Sequence, residues 1–141
     1  MAVSKSWSSG VGHMSRRKVF SLSEADRTLP LVRRIAADIV KAHVEATALH
    51  TRLEHRVPVA ERDAIQHGLE RLVDRLADLV DELKTIGCEL IDYRVGLVDF
   101  AGEHRGREIH WVWQIGDRSI EHWRELHSGV TGRQPIGMLA R

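Results

Sequence analysis

Residues Gly87 to Gln114 read GCELIDYRVGLVDFAGEHRGREIHWVWQ, and the fold turns on how this stretch is divided. Before it, apolar residues recur every three or four positions; within it they recur every second position, which is the change from helix to strand. Ile91, Tyr93, Val95 and Leu97 alternate with Asp92, Arg94 and Gly96, and Ile109, Trp111, Trp113 and Ile115 alternate with Glu108, His110, Val112 and Gln114. Alternation of this kind marks strands with one face on a core. The intervening Ala101-Gly102-Glu103-His104-Arg105-Gly106 has the glycine content of a hairpin loop, so the two strands are expected to pair antiparallel over about residues 90–116. Their apolar faces should cover helices, leaving Arg94, Glu108, His110 and Gln114 on the opposite face.

Working backwards, Ile65, Leu69, Leu72, Leu76, Leu79, Leu83, Ile86 and Leu90 are spaced alternately by three and four, as are Val32, Ile35, Ile39, Ala42, Ala46, Leu49 and Leu53. Each set is a heptad seam. Between them His55-Arg56-Val57-Pro58-Val59 contains a proline that stops one helix, so the two helices should fold back on each other as a coiled-coil-like hairpin over about residues 22–87. Ser21 and Glu24 have the spacing of a capping box, Gly87 is placed as a C-cap, and Pro30 predicts a kink or a short first segment followed by a restart. One seam cannot bury so many Leu and Ile side chains on its own. The expected remedies are the β layer and self-association as a homodimer.

Working forwards, Ile120 to Leu126 has enough helical propensity for a short helix, and Gly129 and Gly132 end regular structure. The expected fold class is therefore α+β: an antiparallel two-helix hairpin packed by a two-stranded antiparallel β-hairpin and a short C-terminal helix and loop, with helix and Gly-rich tail over 118–141. Residues 1–15, rich in Ser and Gly, read as a disordered N-terminal extension or a cloning remnant, and 16–141 as a single domain. The formal charge of +1, with acids and bases interspersed, supplies neither the basic field of a nucleic-acid binder nor a polybasic membrane patch. The apolar runs fall far short of the roughly 20 residues needed to span a bilayer, and the single cysteine, Cys88, fits a reducing compartment. A cytoplasmic location is the expectation.

Specific chemistry is expected in Gly106–Ile136, which holds Trp111, Trp113, Trp123, His110, His122 and His127. On a helix, His122 and Glu125 would share a face with His127 within reach, a set able to hold a divalent metal such as zinc or iron; solvated histidines are the plainer reading. Gly129-Val130-Thr131-Gly132-Arg133 could wrap an anion with backbone N–H groups and a guanidinium, or Arg133 could pin the tail to a carbonyl or to Glu125. Trp123 could stack on a ligand ring or wedge between helix and sheet. His110 with Glu108 or Glu125 could serve as an acid–base pair, but no nucleophile stands beside them. The site set is thus Arg107, His110, Trp123, Glu125, Gly129, Gly132 and Arg133, with His122, Glu125 and His127 as metal candidates. It suits a small binding or interaction module for a small anionic ligand; the alternative is a metal-dependent or acid–base enzyme acting on a small anionic substrate.

Several motifs together carry a family resemblance. They are Phe20-Ser21-Leu22-x-Glu24-Ala25, Leu29-Pro30-Leu31-Val32, Gly96-Leu97-Val98-Asp99-Phe100, Gly106-Arg107-Glu108 with Trp113, and Ile120-x-x-Trp123-x-Glu125-Leu126 with Gly129-x-x-Gly132-Arg133-Gln134-Pro135-Ile136. Over about Phe20 to Ile136 the chain resembles the uncharacterised prokaryotic proteins grouped as domain of unknown function 2203. The resemblance implies a bacterial type of protein and marks Asp99, Arg107, Trp123, Glu125, Gly129, Gly132, Arg133 and Pro135 among its positions; it implies no activity. This sequence departs from the pattern at Arg124, where the family commonly has His, and the departure argues against a ligand or base at that position.

Overall fold

The computed structural model describes residues 18–127 and 132–139. Helix α1 spans Leu22–Leu53 and opens on the expected capping box, Ser21 Oγ accepting from the Glu24 N–H at 3.1 Å while Glu24 Oε1 accepts from the Ser21 N–H at 2.8 Å. It runs through Pro30 as one assigned helix, without the expected restart. Helix α2 spans Val59–Ile86 after a Pro58 N-cap, and it ends on Gly87 at φ 117°, a left-handed conformation that costs glycine little because it has no Cβ. The helical hairpin is as the seams predict.

The β layer is larger than the two-stranded ribbon expected. Among the described residues five strands, β1 (Cys88–Asp92), β2 (Leu97–His104), β3 (Arg107–Gln114), β4 (His122–Glu125) and β5 (Gln134–Pro135), form one antiparallel sheet in chain order. Three local readings change. The alternation from Ile91 to Leu97 is broken by a turn over Tyr93–Gly96, with Asp92 Oδ1 accepting from the Arg94 N–H at 2.8 Å and Gly96 at φ 64°. Apolar residues at even spacing simply continue across that turn, where Tyr93 and Val95 are exposed. The expected loop Ala101–Gly106 shrinks to Arg105 and Gly106, both at positive φ, because Ala101 to His104 belong to β2.

Gly102 is the reason the loop is shorter than its glycine content predicts. It sits mid-strand with the Trp111 indole stacked on it, so that a Cβ there would lie 2.3 Å from Trp111 Nε1. The glycine marks a close approach of a ring and a backbone, the second meaning of glycine in a strand. The third change is at Ile120–Leu126: residues His122–Glu125 are strand β4, not a helix. Its register places Trp123 against Trp111 and His122 against Val112, and burying an indole against the sheet outweighs the weak helical preference of so short a segment.

The inner face of the sheet carries Val98, Phe100, Ile109, Trp111, Trp113 and Trp123, which meet Leu29, Val32, Ile35, Ile39, Leu79 and Leu83 of the helices in one core. Beyond the start of β1 the β2 edge is taken by Phe20: its N–H donates to the Ala101 carbonyl at 2.8 Å, and its carbonyl accepts from Trp111 Nε1 at 2.8 Å. In the N-terminal turns of α1, Asp26 Oδ1 accepts from the Ile120 N–H at 2.8 Å, and Arg33 Nη2 donates to the Arg118 carbonyl at 3.1 Å, which holds the β3–β4 connection against the helix. No helix among the described residues is long and apolar enough to cross a membrane.

Candidate functional site

A sheet packed on one side by helices normally turns a solvated face outward. Here one outward carboxylate is buried. Asp99 on β2 is only 3% exposed, although its neighbours along the strand, Val98 and Phe100, are the ones that face the core. Arg124, two strands away on β4, reaches across β3 and grips it, Nε donating to Asp99 Oδ2 at 3.1 Å and Nη2 donating to the same oxygen. His110, opposite Arg124 in the register, brings Nδ1 to 3.8 Å from that oxygen. Desolvation pushes the Asp99 carboxyl above the usual carboxylate range; the Arg124 hydrogen bonds and charge, and the His110 charge, oppose this without cancelling it.

Asp99 Oδ1 has no hydrogen-bond partner among the described residues. Asp99, Ala101 and His110 form the floor of a cleft of about 420 Å³ walled by the last turn of α2 from Lys84 to Gly87, by Cys88 and Glu89 of β1, and by Lys18. Its shape follows from the seam where Gly87 ends α2 and Phe20 takes over the sheet edge, since a Cβ on Gly87 would press on the Phe20 ring at 3.0 Å. The cleft is no thiol site. Cys88 is buried, donates its S–H to the Leu83 carbonyl at 3.5 Å, and desolvation pushes its pKa up to about 12, so the thiolate is not populated at neutral pH.

The site residues expected from the sequence divide into separate places. His110 lies in the cleft. Arg107 and Glu125 form an ion pair at the opposite rim of the sheet, with the Arg107 guanidinium 5.4 Å from the Trp123 ring. Trp123 itself is a core residue at 4% exposure and has no face left for a ligand. Arg133 does not meet Glu125; its Nη1 donates to Gln114 Oε1 at 3.1 Å. Gly132 is described, whereas Gly129, Val130 and Thr131 lie outside the described residues.

On strand β4, His122 and Glu125 are three apart and so point to opposite faces, which undoes the convergence a helix would have given them. His127 follows the strand in an exposed turn. No group of three or more His, Cys, Asp or Glu among the described residues is placed to hold a metal ion. What the residue-by-residue reading missed is Asp99 with Arg124, Lys18 and Lys84. The signal available was a lone acid inside Leu97-Val98-Asp99-Phe100, although its partner lies 25 positions away.

One comparison bears on identity. The family model described as "Uncharacterized conserved protein (DUF2203)" matches residues 18–136. The chain belongs to that family. The matched span takes in both helices, all five strands and every residue lining the cleft, so this DUF2203 chain carries the site inside the family region rather than on an appendage. No curated protein and no solved structure matches the chain.

Proposed function

We propose that this DUF2203 chain is a small binding module whose ligand seat is the cleft over Asp99 and His110, and that the ligand carries an anionic group. The observation that carries this reading is a buried carboxylate with one oxygen unmet on the floor of a cleft rimmed by two lysines. A buried acceptor left without a donor costs about 1–3 kcal/mol, and such sites cluster where a ligand supplies what the fold leaves out. With Asp99 paired to Arg124 below, the rim sets Lys18 and Lys84 against Glu89, an excess of positive charge that favours an acidic group at the rim. The small-anion character expected from the sequence is kept, but its seat moves from Arg133 and Trp123 to this cleft.

A thermal-shift screen with small carboxylates and phosphates tests it. At a ligand concentration one hundred times Kd the native state gains about 2.7 kcal/mol, which should raise Tm by several degrees in the wild type and by less in Lys84→Glu. If no acid, amino acids included, raises Tm, or if the charge-reversed variant responds equally, the cleft is not the seat. The acid–base enzyme alternative has one observation in its favour, the approach of His110 Nδ1 to a carboxyl that desolvation has raised.

Self-association belongs to the same reading. Along the helical hairpin Leu69 and Leu72 are only half-buried, and Val44, Val59 and Val73 are exposed. A homodimer through the hairpin would cover part of this surface. Sedimentation velocity at tens of micromolar should give a dimer that Val73→Glu shifts towards monomer; a wild type that sediments as a monomer would remove the proposal.

A further inference from the structure

The cleft has two electrical poles, and their arrangement narrows the ligand. On its floor lies Asp99, 3% exposed, whose Oδ1 is a buried acceptor with no donor among the described residues. Beside it ends α2, whose last turn Lys84–Ile86 lines the same cleft. The C-terminal turn of a helix presents carbonyl oxygens and a partial negative charge. Glu89 adds a full one on the same wall. At the rim stand Lys18 and Lys84, neither of them in a salt bridge among the described residues.

A simple anion satisfies only the rim. Pushed to the floor it meets a carboxylate oxygen and a helix C-terminus, both of which repel it. A simple amine satisfies only the floor and must pass two lysines to reach it. A molecule with both groups satisfies both poles: its ammonium N–H groups donate to Asp99 Oδ1 and to the carbonyl end of α2, while its acidic group faces the two ammonium side chains. Charge-assisted hydrogen bonds of this kind are the strong ones, and a cleft of about 420 Å³ confines both groups to one small molecule.

Resting on the reading of the cleft as a ligand seat, we propose that it binds a small zwitterion, a primary ammonium carried a few bonds away from a carboxylate or phosphate. Free α-amino acids and phosphoethanolamine-like molecules share this chemistry. Arg124 then has the role of holding Asp99 Oδ2 so that Oδ1 stays turned to the ligand, and His110 walls the same floor.

The test is isothermal titration of the full chain with three matched sets of probes: the common amino acids and phosphoethanolamine; acetate, propionate and inorganic phosphate; and methylamine and ethanolamine. At least one zwitterion should bind ten-fold or more tightly than its matched acid and its matched amine. Asp99→Asn should cut that preference to below two-fold, and should Asp99→Asn not fold, Lys84→Met, at an exposed position, should weaken the zwitterion at least five-fold. Phosphoethanolamine against the amino acids separates the two acidic groups. If acetate or phosphate binds as well as the matched zwitterion, the inference is overturned while the anion seat stands. If none of the probes binds, both fall.

Discussion

Trp111→Ala should lower the unfolding free energy by about 3–5 kcal/mol, the range for truncating a buried aromatic residue. Trp111 is 1% exposed and lies at the middle of the aromatic row Phe100–Trp111–Trp123 that three paired strands bring into register. Its Nε1 also donates to the Phe20 carbonyl at 2.8 Å, so truncation opens a cavity and leaves that carbonyl only the longer bond from the Glu103 N–H at 3.4 Å. Gly102→Ala should be destabilising for the reciprocal reason, by about 1–3 kcal/mol as an overpacked site, because its Cβ would fall 2.3 Å from the same nitrogen. In the Trp111→Ala background the Gly102→Ala change should be close to neutral. Urea unfolding of the four proteins closes the cycle; additive losses would mean that Gly102 is required for some reason other than the indole.

The second large effect is at Arg124. Removing one partner of a buried ion pair leaves a charge uncompensated and typically costs about 3–5 kcal/mol. The Asp99 and Arg124 side chains are 2% and 13% exposed, so Arg124→Ala should fall in that range at neutral pH. The pH dependence identifies the cause. The Asp99 carboxyl is already raised in the folded state by desolvation, and loss of the guanidinium removes hydrogen bonds and a charge that oppose the rise. A group raised on folding stabilises below its unfolded value and loses that stability as pH rises through its folded value. The Arg124→Ala deficit should therefore be greatest near neutrality and shrink as the pH falls through the carboxylate range. A deficit that stays constant from pH 7 to pH 4 would assign the loss to packing of the Arg124 stem instead.

Much of the helical layer is legible in the sequence because its signals are local. Ser21 with Glu24, the three-and-four spacing of the seams, Pro58 and Gly87 each act within a turn or two of themselves. The β layer is less so. The alternation of Ile109, Trp111 and Trp113 identifies β3 correctly, whereas Gly102 reads as a turn until Trp111 is known to lie on it, and His122–Glu125 reads as a helix until β3 is known to offer it an edge. Register decides the site in the same way. His110, expected on the polar face, is there, but the Asp99–Arg124 contact spans two strands and 25 positions, and nothing in either residue's neighbours announces the other. Convergence of His122 and Glu125 on one point depends on helical periodicity, and it is lost with the helix.

The hydrogen bonds of Phe20 have a consequence for how the chain assembles. The helices are neighbours through a short turn, and each strand pairs with the next one in sequence, so both layers consist of contacts that close small loops and form early. The Phe20 carbonyl, by contrast, meets a group 91 residues ahead of it. It can be reached only after the meander has placed β2 beside β3 and the hairpin has settled on them, which makes the segment before α1 a latch that closes last. A chain trimmed back to Ser21 would lose the latch together with the buried Phe20 ring, leaving the β2 edge at Ala101–Glu103 open to pairing with another molecule.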